Sequence, residues 1–234
     1  MNTVVYALSP HFDIAKFELE DGLVRQAAAS LLAAPSTITQ ITVDIATSGV
    51  VDLDTPHSAP PFGAMLRIAA DSMSDAQPTD LAELVADVVG VVAAWTVTTS
   101  VLAERDDHWI GSSTPGVKLV AFLTGGPGID SGSYDGWLRD AAMTVATELD
   151  GVGVALLSPN DPLIGDERFD TILELSFPGQ AELEKALAED TLQPILGSEL
   201  LDLGKTQLVT TAEHRLVPNE NAWEMHSSHP SPDA

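Results

Sequence analysis

Residues 117–124 read VKLVAFLT and are followed by GGPG at residues 125–128. A short, almost wholly apolar run of this kind predicts a β-strand that is buried on both faces. The glycines and the proline cannot continue the strand, and Asp130 or Ser131 is suited to cap a helix that follows. Apolar side chains over residues 134–149 recur at helical spacing. This stretch therefore predicts a strand, a turn and a helix in that order.

The residues after this helix complete a known order of elements. Apolar and turn-forming patterns predict strands over 151–158, 169–177 and 206–216, a turn at Asn160-Asp161-Pro162 and a second helix over 179–188. The resulting β-α-β-β-α-β order is the ferredoxin-like split pattern. It places two helices on one face of a four-stranded antiparallel sheet.

The same order recurs in the first part of the chain. Val-Thr-Thr stands at residues 97–99 and again at 209–211, an offset of 112 residues, while Phe62 and Phe169 are 107 residues apart. We therefore predict two tandem units, at residues 1–110 and 111–220, with residues 221–234 as a flexible tail. The elements predicted in the first unit are strands over 3–8, 39–47, 62–70 and 95–103 and helices over about 14–32 and 79–89.

Apolar side chains point to both faces of the predicted strands, as the succession Leu119, Val120 and Ala121 illustrates. The helix-free face of each sheet therefore needs a cover, and the sheet of the other unit is the natural one. Two such sheets packed face to face, with helices outside and a pseudo-two-fold axis between them, form an α+β barrel within one chain. The expected assembly is a monomer with this internal pseudo-dimer, or a homodimer.

Composition bounds the function of the chain. Its 234 residues are 44% hydrophobic, enough for a substantial core, and its formal charge of -25 repels nucleic acid and anionic membrane surfaces. The absence of cysteine excludes disulfides, thiolate catalysis and cysteine-ligated metals. No run approaches the roughly 18 apolar residues of a membrane span. We expect a cytoplasmic protein with neither nucleic acid nor membrane as partner.

Three stretches of the second unit resemble the EthD-like group of the dimeric α+β barrel superfamily. They are VKLVAFL at 117–123, GID at 128–130 leading into YDGW at 134–137, and FDTILELSF at 169–177. The first unit is similar only in the order of its elements. Relatives in this superfamily include small monooxygenases, polyketide cyclases and chlorite-dismutase-like haem proteins.

The resemblance implies a protein that binds a small apolar, aromatic or polyketide-like molecule. It further implies cofactor-independent cyclase, isomerase or monooxygenase chemistry. EthD-like sequences commonly carry a reactive His four residues after the helix Trp, and here that position is Ala141. The alternative is therefore a non-catalytic binding or structural barrel that has lost this His. A haem enzyme is not favoured, because no His is expected on a helix that faces a large pocket.

Two histidines are the candidate general bases for such chemistry. His214 lies between Glu213 and Arg215 in the last predicted strand, so its side chain points to the face opposite to theirs. If that face lines the cavity, the imidazole could deprotonate a ligand. His11 follows the first strand in a turn at the expected rim of the barrel. A surface position is the alternative for both histidines.

Charged residues within buried strands are a sharper signal, since an unpaired charge in a core is costly. Asp44 and Arg67 lie in the middle of two strands that should form a hairpin, and they are expected to face each other. They would form an ion pair that closes one end of the sheet, or a pair that orients a ligand. Glu174 takes the place of Arg67 in the second unit, which suggests that the two units are complementary.

Bulky aromatic side chains are expected to border the cavity or to fill the core. Tyr6 or Tyr134 would also serve as the hydrogen-bond partner of a catalytic His. The five side chains of this set are Tyr6, Trp95, Phe122, Tyr134 and Trp137.

Neither a metal nor a cofactor is expected. His226 and His229 stand in a Pro- and Ser-rich terminal stretch that is too short to preorganise a metal site. The glycine-rich turn at 125–128 lacks the Gly-Lys-Ser/Thr ending of a phosphate-binding loop, and Pro127 removes an N–H donor.

Overall fold

The computed structural model of the protein describes residues 2–10, 16–33, 38–47, 63–72, 89–105, 116–165 and 169–216. The strands of this part are β1 Asn2–Pro10, β2 Ile38–Ala46, β3 Ala64–Ala70, β4 Val89–Ala103, β5 Val117–Leu123, β6 Gly153–Ile164, β7 Thr171–Phe177 and β8 Gln207–Leu216. Its helices are α1 Lys16–Ala33, α2 Ser131–Glu148, α3 Gln180–Ala188 and α4 Gln193–Leu196. None of these helices is long and apolar enough to cross a membrane.

The eight strands form a closed antiparallel barrel in the order β1-β3-β2-β8-β5-β7-β6-β4. The first four strands run β4-β1-β3-β2 around it and the last four run β8-β5-β7-β6. The predicted α+β class and barrel are confirmed, but the sheets do not pack as two separate layers. Instead β2 pairs with β8 and β4 pairs with β6, because edge N–H and C=O groups need partners. Closure gives the barrel one continuous interior.

Side chains alternate between the interior and the outer surface of the barrel. On the outside, α1 covers Val4 and Leu8 with Leu19 and Leu23. The other helices cover the outer face of β5 and β7 in the same way, with Leu138 of α2 and Leu183 of α3 among the buried contacts. A third apolar cluster, of Val5, Trp95, Val120, Phe122 and Ile172 among others, lies in the interior.

Helix α2 begins where the sequence predicts. Asp130 is its N-cap, and its carboxylate accepts hydrogen bonds from the N–H and hydroxyl groups of Ser133 at 2.9 and 2.6 Å. These hydrogen bonds lower the pKa of the exposed Asp130 carboxyl. The buried stripe includes Tyr134, Leu138 and Val145 at helical spacing.

Two predicted boundaries were wrong, and one helix was not predicted. Val89 begins β4 and does not end a helix; the remainder of that helix, like the tail at 221–234, lies outside the described residues. Strand β6 continues to Ile164 through the predicted turn at 160–162, because it pairs along the 15-residue β4, with Pro162 opposite Trp95. Register shifts along this pairing accommodate the prolines. The short helix α4 was not predicted.

Candidate functional site

The barrel interior has an apolar half, a layer of charges and an open half. The apolar half is filled by aromatic rings. Phe169 lies with its ring centroid 4.9 Å from that of Phe122 and 6.0 Å from that of Trp95. Trp95 and Phe122 therefore belong to the packed core, the second of the two roles that the sequence left open for them.

Six charged side chains form a layer across the middle of the interior, which we call the charged layer. Arg67 Nη1 lies 2.9 Å from Glu174 Oε2, and Lys118 Nζ lies 2.9 Å from Asp44 Oδ1. Lys118 Nζ also lies 3.6 Å from Glu174 Oε2 and contacts Glu213 Oε2. These contacts join four strands, β2, β3, β5 and β7, to β8. The members are Asp44, Arg67, Lys118, Glu174, Glu213 and Arg215, three carboxylates and three cations.

The layer holds its acidic groups in two different states. Burial alone would raise the pKa of Glu174, but Arg67 and Lys118 outweigh it and lower this pKa. Burial is likewise outweighed at Glu213, where Lys118 and Arg215 hold the pKa far below its usual value. At Asp44 burial prevails over Lys118 and raises the pKa to about 6. Asp44 is therefore the layer's carboxyl that is protonated most readily.

The open half is a cavity of about 400 Å³ at the end of the barrel where β1, β2, β5 and β6 begin. Its volume lies in the range of small-molecule sites. Arg67, Glu174, Glu213 and Arg215 of the charged layer form its floor. A second cavity, of about 270 Å³, adjoins it and shares Thr3 and Thr99 as walls. The remaining wall of the first cavity is partly apolar (Ala69, Val101, Ala103, Val154, Ala155) and partly polar (Gln40, Glu104, Arg105, Gly153, Ser176).

Asp44 and Arg67 both point into the interior, but they do not face each other as predicted. Asp44 pairs with Met65 across the hairpin, and Arg67 with Thr42. The actual register differs by two residues from the predicted one, which preserves the face and changes the neighbour. Arg67 instead pairs with Glu174, the residue 107 positions away that the sequence marked as its complement.

His214 points away from the cavity. Glu213 and Arg215 face the interior, so alternation turns His214 outward, toward α1, where its Nε2 lies 3.0 Å from Glu20 Oε1. The predicted base therefore lacks access to the cavity. The other predicted base, His11, lies outside the described residues.

The tyrosines and Trp137 also lie on the outer side of the barrel. Tyr6 packs in the cluster beneath α1, and burial raises its pKa to about 12. Tyr134 and Trp137 lie on α2 with their ring centroids 5.8 Å apart. The predicted pairing of a tyrosine with a catalytic His at the cavity is thus not formed by Tyr6 or Tyr134.

Sequence reasoning missed Lys118, Glu213 and Arg215 as site residues. The signal for Lys118 was present, since it is the one charge in the otherwise apolar run VKLVAFL. The rule that singled out Asp44 and Arg67, a charge within a buried strand, applies to it equally. Among the described residues, no group of three or more His, Cys, Asp or Glu side chains is arranged to hold a metal ion.

Comparison with solved structures finds the same fold. An anthrone oxidase-like protein matches with a TM-score of 0.56 at 12% identity over 94% of both chains. A predicted monooxygenase from Fusobacterium nucleatum matches with a TM-score of 0.57 at 7% identity, again over 94% of both chains. Chlorite dismutase from Candidatus Nitrospira defluvii matches with a TM-score of 0.54 at 10% identity over 90% of both.

All three are dimeric α+β barrel proteins, and the chain has this fold. At such low identities the likeness establishes the fold and no activity. No family model matches the sequence. No curated protein matches it either.

Proposed function

We propose that the chain is a small-molecule-binding protein whose ligand occupies the open half of the barrel interior. The observation that carries this proposal is the cavity of about 400 Å³ with the charged layer as its floor. A rigid floor of ion pairs and a partly apolar wall together suit a ligand with an apolar body and one or more polar groups.

The proposed ligand is an aromatic or polyketide-like compound. Val101 and Ala155 offer it an apolar surface, and Arg67 and Arg215 offer hydrogen bonds. The names of the anthrone oxidase-like protein and the monooxygenase support a small organic molecule as ligand in this fold. We also propose that the chain belongs to the EthD-like group. We further propose that it consists of two tandem ferredoxin-like units, at 1–110 and 111–220. A cytoplasmic location and a monomeric or homodimeric state are also part of this proposal.

Two forms of this function differ in whether the bound molecule is transformed. Cofactor-independent proton transfer needs a base at the cavity, and Glu174 and Glu213 are held ionised by their cationic neighbours, which makes them weak bases. His214 faces α1, and Ala141 carries no reactive group. These observations favour the non-catalytic form. The other predicted base, His11, follows Pro10 at the end of β1, whereas the cavity lies where β1 begins.

Blocking the cavity tests the proposal. Ala155 lines it, so Ala155→Phe should fill it; Ala181→Phe adds the same side chain at an exposed position of α3 and is the matched control. Ligand-observed NMR would screen one- to three-ring aromatic ketones, phenols and hydrocarbons. We expect saturable binding to wild type and to the control, and its loss in Ala155→Phe. Absence of binding to wild type, or binding that survives Ala155→Phe, would contradict the proposal.

A further inference from the structure

Arg67 has donor capacity left over at the floor of the cavity. A guanidinium carries five N–H donors. Among the described residues, the Arg67 side chain donates one hydrogen bond, from Nη1 to Glu174 at 2.9 Å, while its Nη2 lies 4.0 Å from Glu213 Oε2. Its side chain keeps 12% of its surface exposed, and it lines the cavity. Arg67 can therefore donate to a molecule in the cavity without leaving Glu174.

Arg215 lies at the same level of the barrel. Both arginines are register partners of Thr42 in β2. Arg67 pairs with it from β3 on one side, and Arg215 pairs with it from β8 on the other. Glu213 lies between them, with its Oε1 2.9 Å from Arg215 Nη2. The Arg215 side chain is 30% exposed and also lines the cavity. Glu213 therefore hydrogen-bonds Arg215 and lies 4.0 Å from Arg67 Nη2, so both guanidinium groups are near the same carboxylate.

The charges around the cavity indicate what these donors receive. The charged layer contains three carboxylates and three cations, so its net charge is zero when all six are ionised. The opposite charges of Glu104 and Arg105 at the cavity wall also sum to zero. An anionic ligand would unbalance the buried layer, and it would be repelled by a chain of charge -25. A neutral acceptor uses the donors without adding a charge. A carbonyl oxygen is such an acceptor, with two lone pairs.

We propose that Arg67 and Arg215 are the specificity-determining pair of the site, and that they bind the neutral carbonyl oxygen of an apolar ligand. This inference rests on the proposed function and deepens it by naming the ligand group. A hydrogen bond to a charged group contributes enough to change affinity by at least about tenfold.

The test compares 1-tetralone with tetralin, which has the same rings without the carbonyl. Dissociation constants of both would be measured by NMR titration for wild type, Arg67→Lys, Arg215→Gln and Arg139→Gln. Arg67→Lys keeps the positive charge beside Glu174 and removes the fork of donors. Arg139 is exposed on α2, so it supplies the matched control. We expect wild type and the control to bind 1-tetralone at least about tenfold more tightly than tetralin. We expect this ratio to fall toward one in the other two variants.

Failure of the inference differs from failure of the proposed function. If both compounds bind wild type equally, the arginines do not recognise a carbonyl, although the cavity still binds small molecules. If 1,2,3,4-tetrahydro-1-naphthoate binds more tightly than 1-tetralone, the acceptor is a carboxylate and the inference is overturned. If none of the three compounds binds, the cavity proposal itself is contradicted for this ligand class. The wild-type comparison decides the matter even if Arg67→Lys does not fold.

Discussion

Asp44 is the residue through which solution pH changes the charge of the barrel interior. It is fully buried, its Oδ1 accepts a hydrogen bond from Thr211 at 3.3 Å, and its Oδ2 accepts none from a described residue. The charged layer is electrically balanced when Asp44 is ionised and gains one positive charge when it is protonated. The pKa values of Glu174 and Glu213 are instead lowered, so both remain ionised when Asp44 takes up its proton.

Asp44 therefore makes a distinct contribution to stability. Burial raises its pKa from 3.8 to about 6, so the folded protein binds a proton in this interval that the unfolded chain does not. That contribution is fully present below about pH 4 and is lost as pH rises through about 6. Asn cannot ionise, so the variant lacks this pH dependence. The unfolding free energy of Asp44→Asn minus that of wild type should therefore rise by about 3 kcal/mol between about pH 4 and about pH 7. Urea unfolding at a series of pH values measures this difference.

Asp140→Asn is the control for this series, since Asp140 is exposed on α2. Its unfolding free energy should follow that of wild type at every pH. A constant difference between wild type and Asp44→Asn would show that Asp44 has the same pKa in both states.

At this scale the sequence could predict which residues are unusual but not which of them meet. Charges within apolar strands identified Asp44 and Arg67, and alternation placed both in the interior. Their partners, Lys118 and Glu174, come from strands far along the chain. Such pairing depends on the register and closure of the whole barrel, which no local pattern contains.

Among the elements, β4 and β6 form the longest seam of the barrel. Register shifts occur at three places along it, and Gly165 ends it with φ +77°. A Cβ at Gly165 would lie 2.7 Å from the carbonyl oxygen of Val92 and 3.2 Å from the Cβ of Ala93. The close approach of β6 to β4 therefore requires a residue without a side chain here.

Two glycine substitutions separate this close approach from backbone strain. Gly128 also has a positive φ, of +85°, but a Cβ there would meet nothing within 4 Å. Gly128→Ala should cost about 1 kcal/mol of unfolding free energy from the left-handed backbone alone. Gly165→Ala should cost clearly more, because the Val92 carbonyl cannot move without disturbing β4. Chemical denaturation of both variants checks this, and equal losses would contradict it.

Elements with local signals were the predictable ones. The run at 117–124 and the cap at Asp130 need only neighbouring residues, and both are found as predicted. The end of β6 depends on the length of β4, a strand roughly sixty residues earlier, and prolines at 159 and 162 argued for a turn. Non-local pairing overrode the local preference.

In the whole molecule, the set β4-β1-β3-β2 and the set β8-β5-β7-β6 pair with each other at both of their edges, which closes the barrel. The pairings of β2 with β8 and of β4 with β6 supply the two seams, and the charged layer crosses the interior between them. The sequence predicted that two sheets share a core. It could not predict that the edge strands of the two sheets pair with each other. The apolar pattern of a strand shows which of its faces is buried, but not which strand it pairs with.

The barrel should consequently unfold in a single step. Hydrogen exchange read by mass spectrometry at increasing urea would give a separate midpoint for peptides from each strand. We expect peptides from β3 and β7 to lose protection at the same urea concentration, since opening either set exposes the interior of both. Loss of protection in one set of four strands at lower urea would contradict this expectation.

The contact between Arg67 and Glu174 also decides what either part of the chain can do by itself. The two residues occupy matching positions on β3 and β7, 107 residues apart, and carry opposite charges. If two copies of the part that carries β1–β4 associated in the same way, two Arg67 side chains would face each other. Two copies of the part that carries β5–β8 would bring two Glu174 side chains together. Neither part can therefore take the place of the other in this contact, and a change of charge at one of the two residues needs a compensating change at the other.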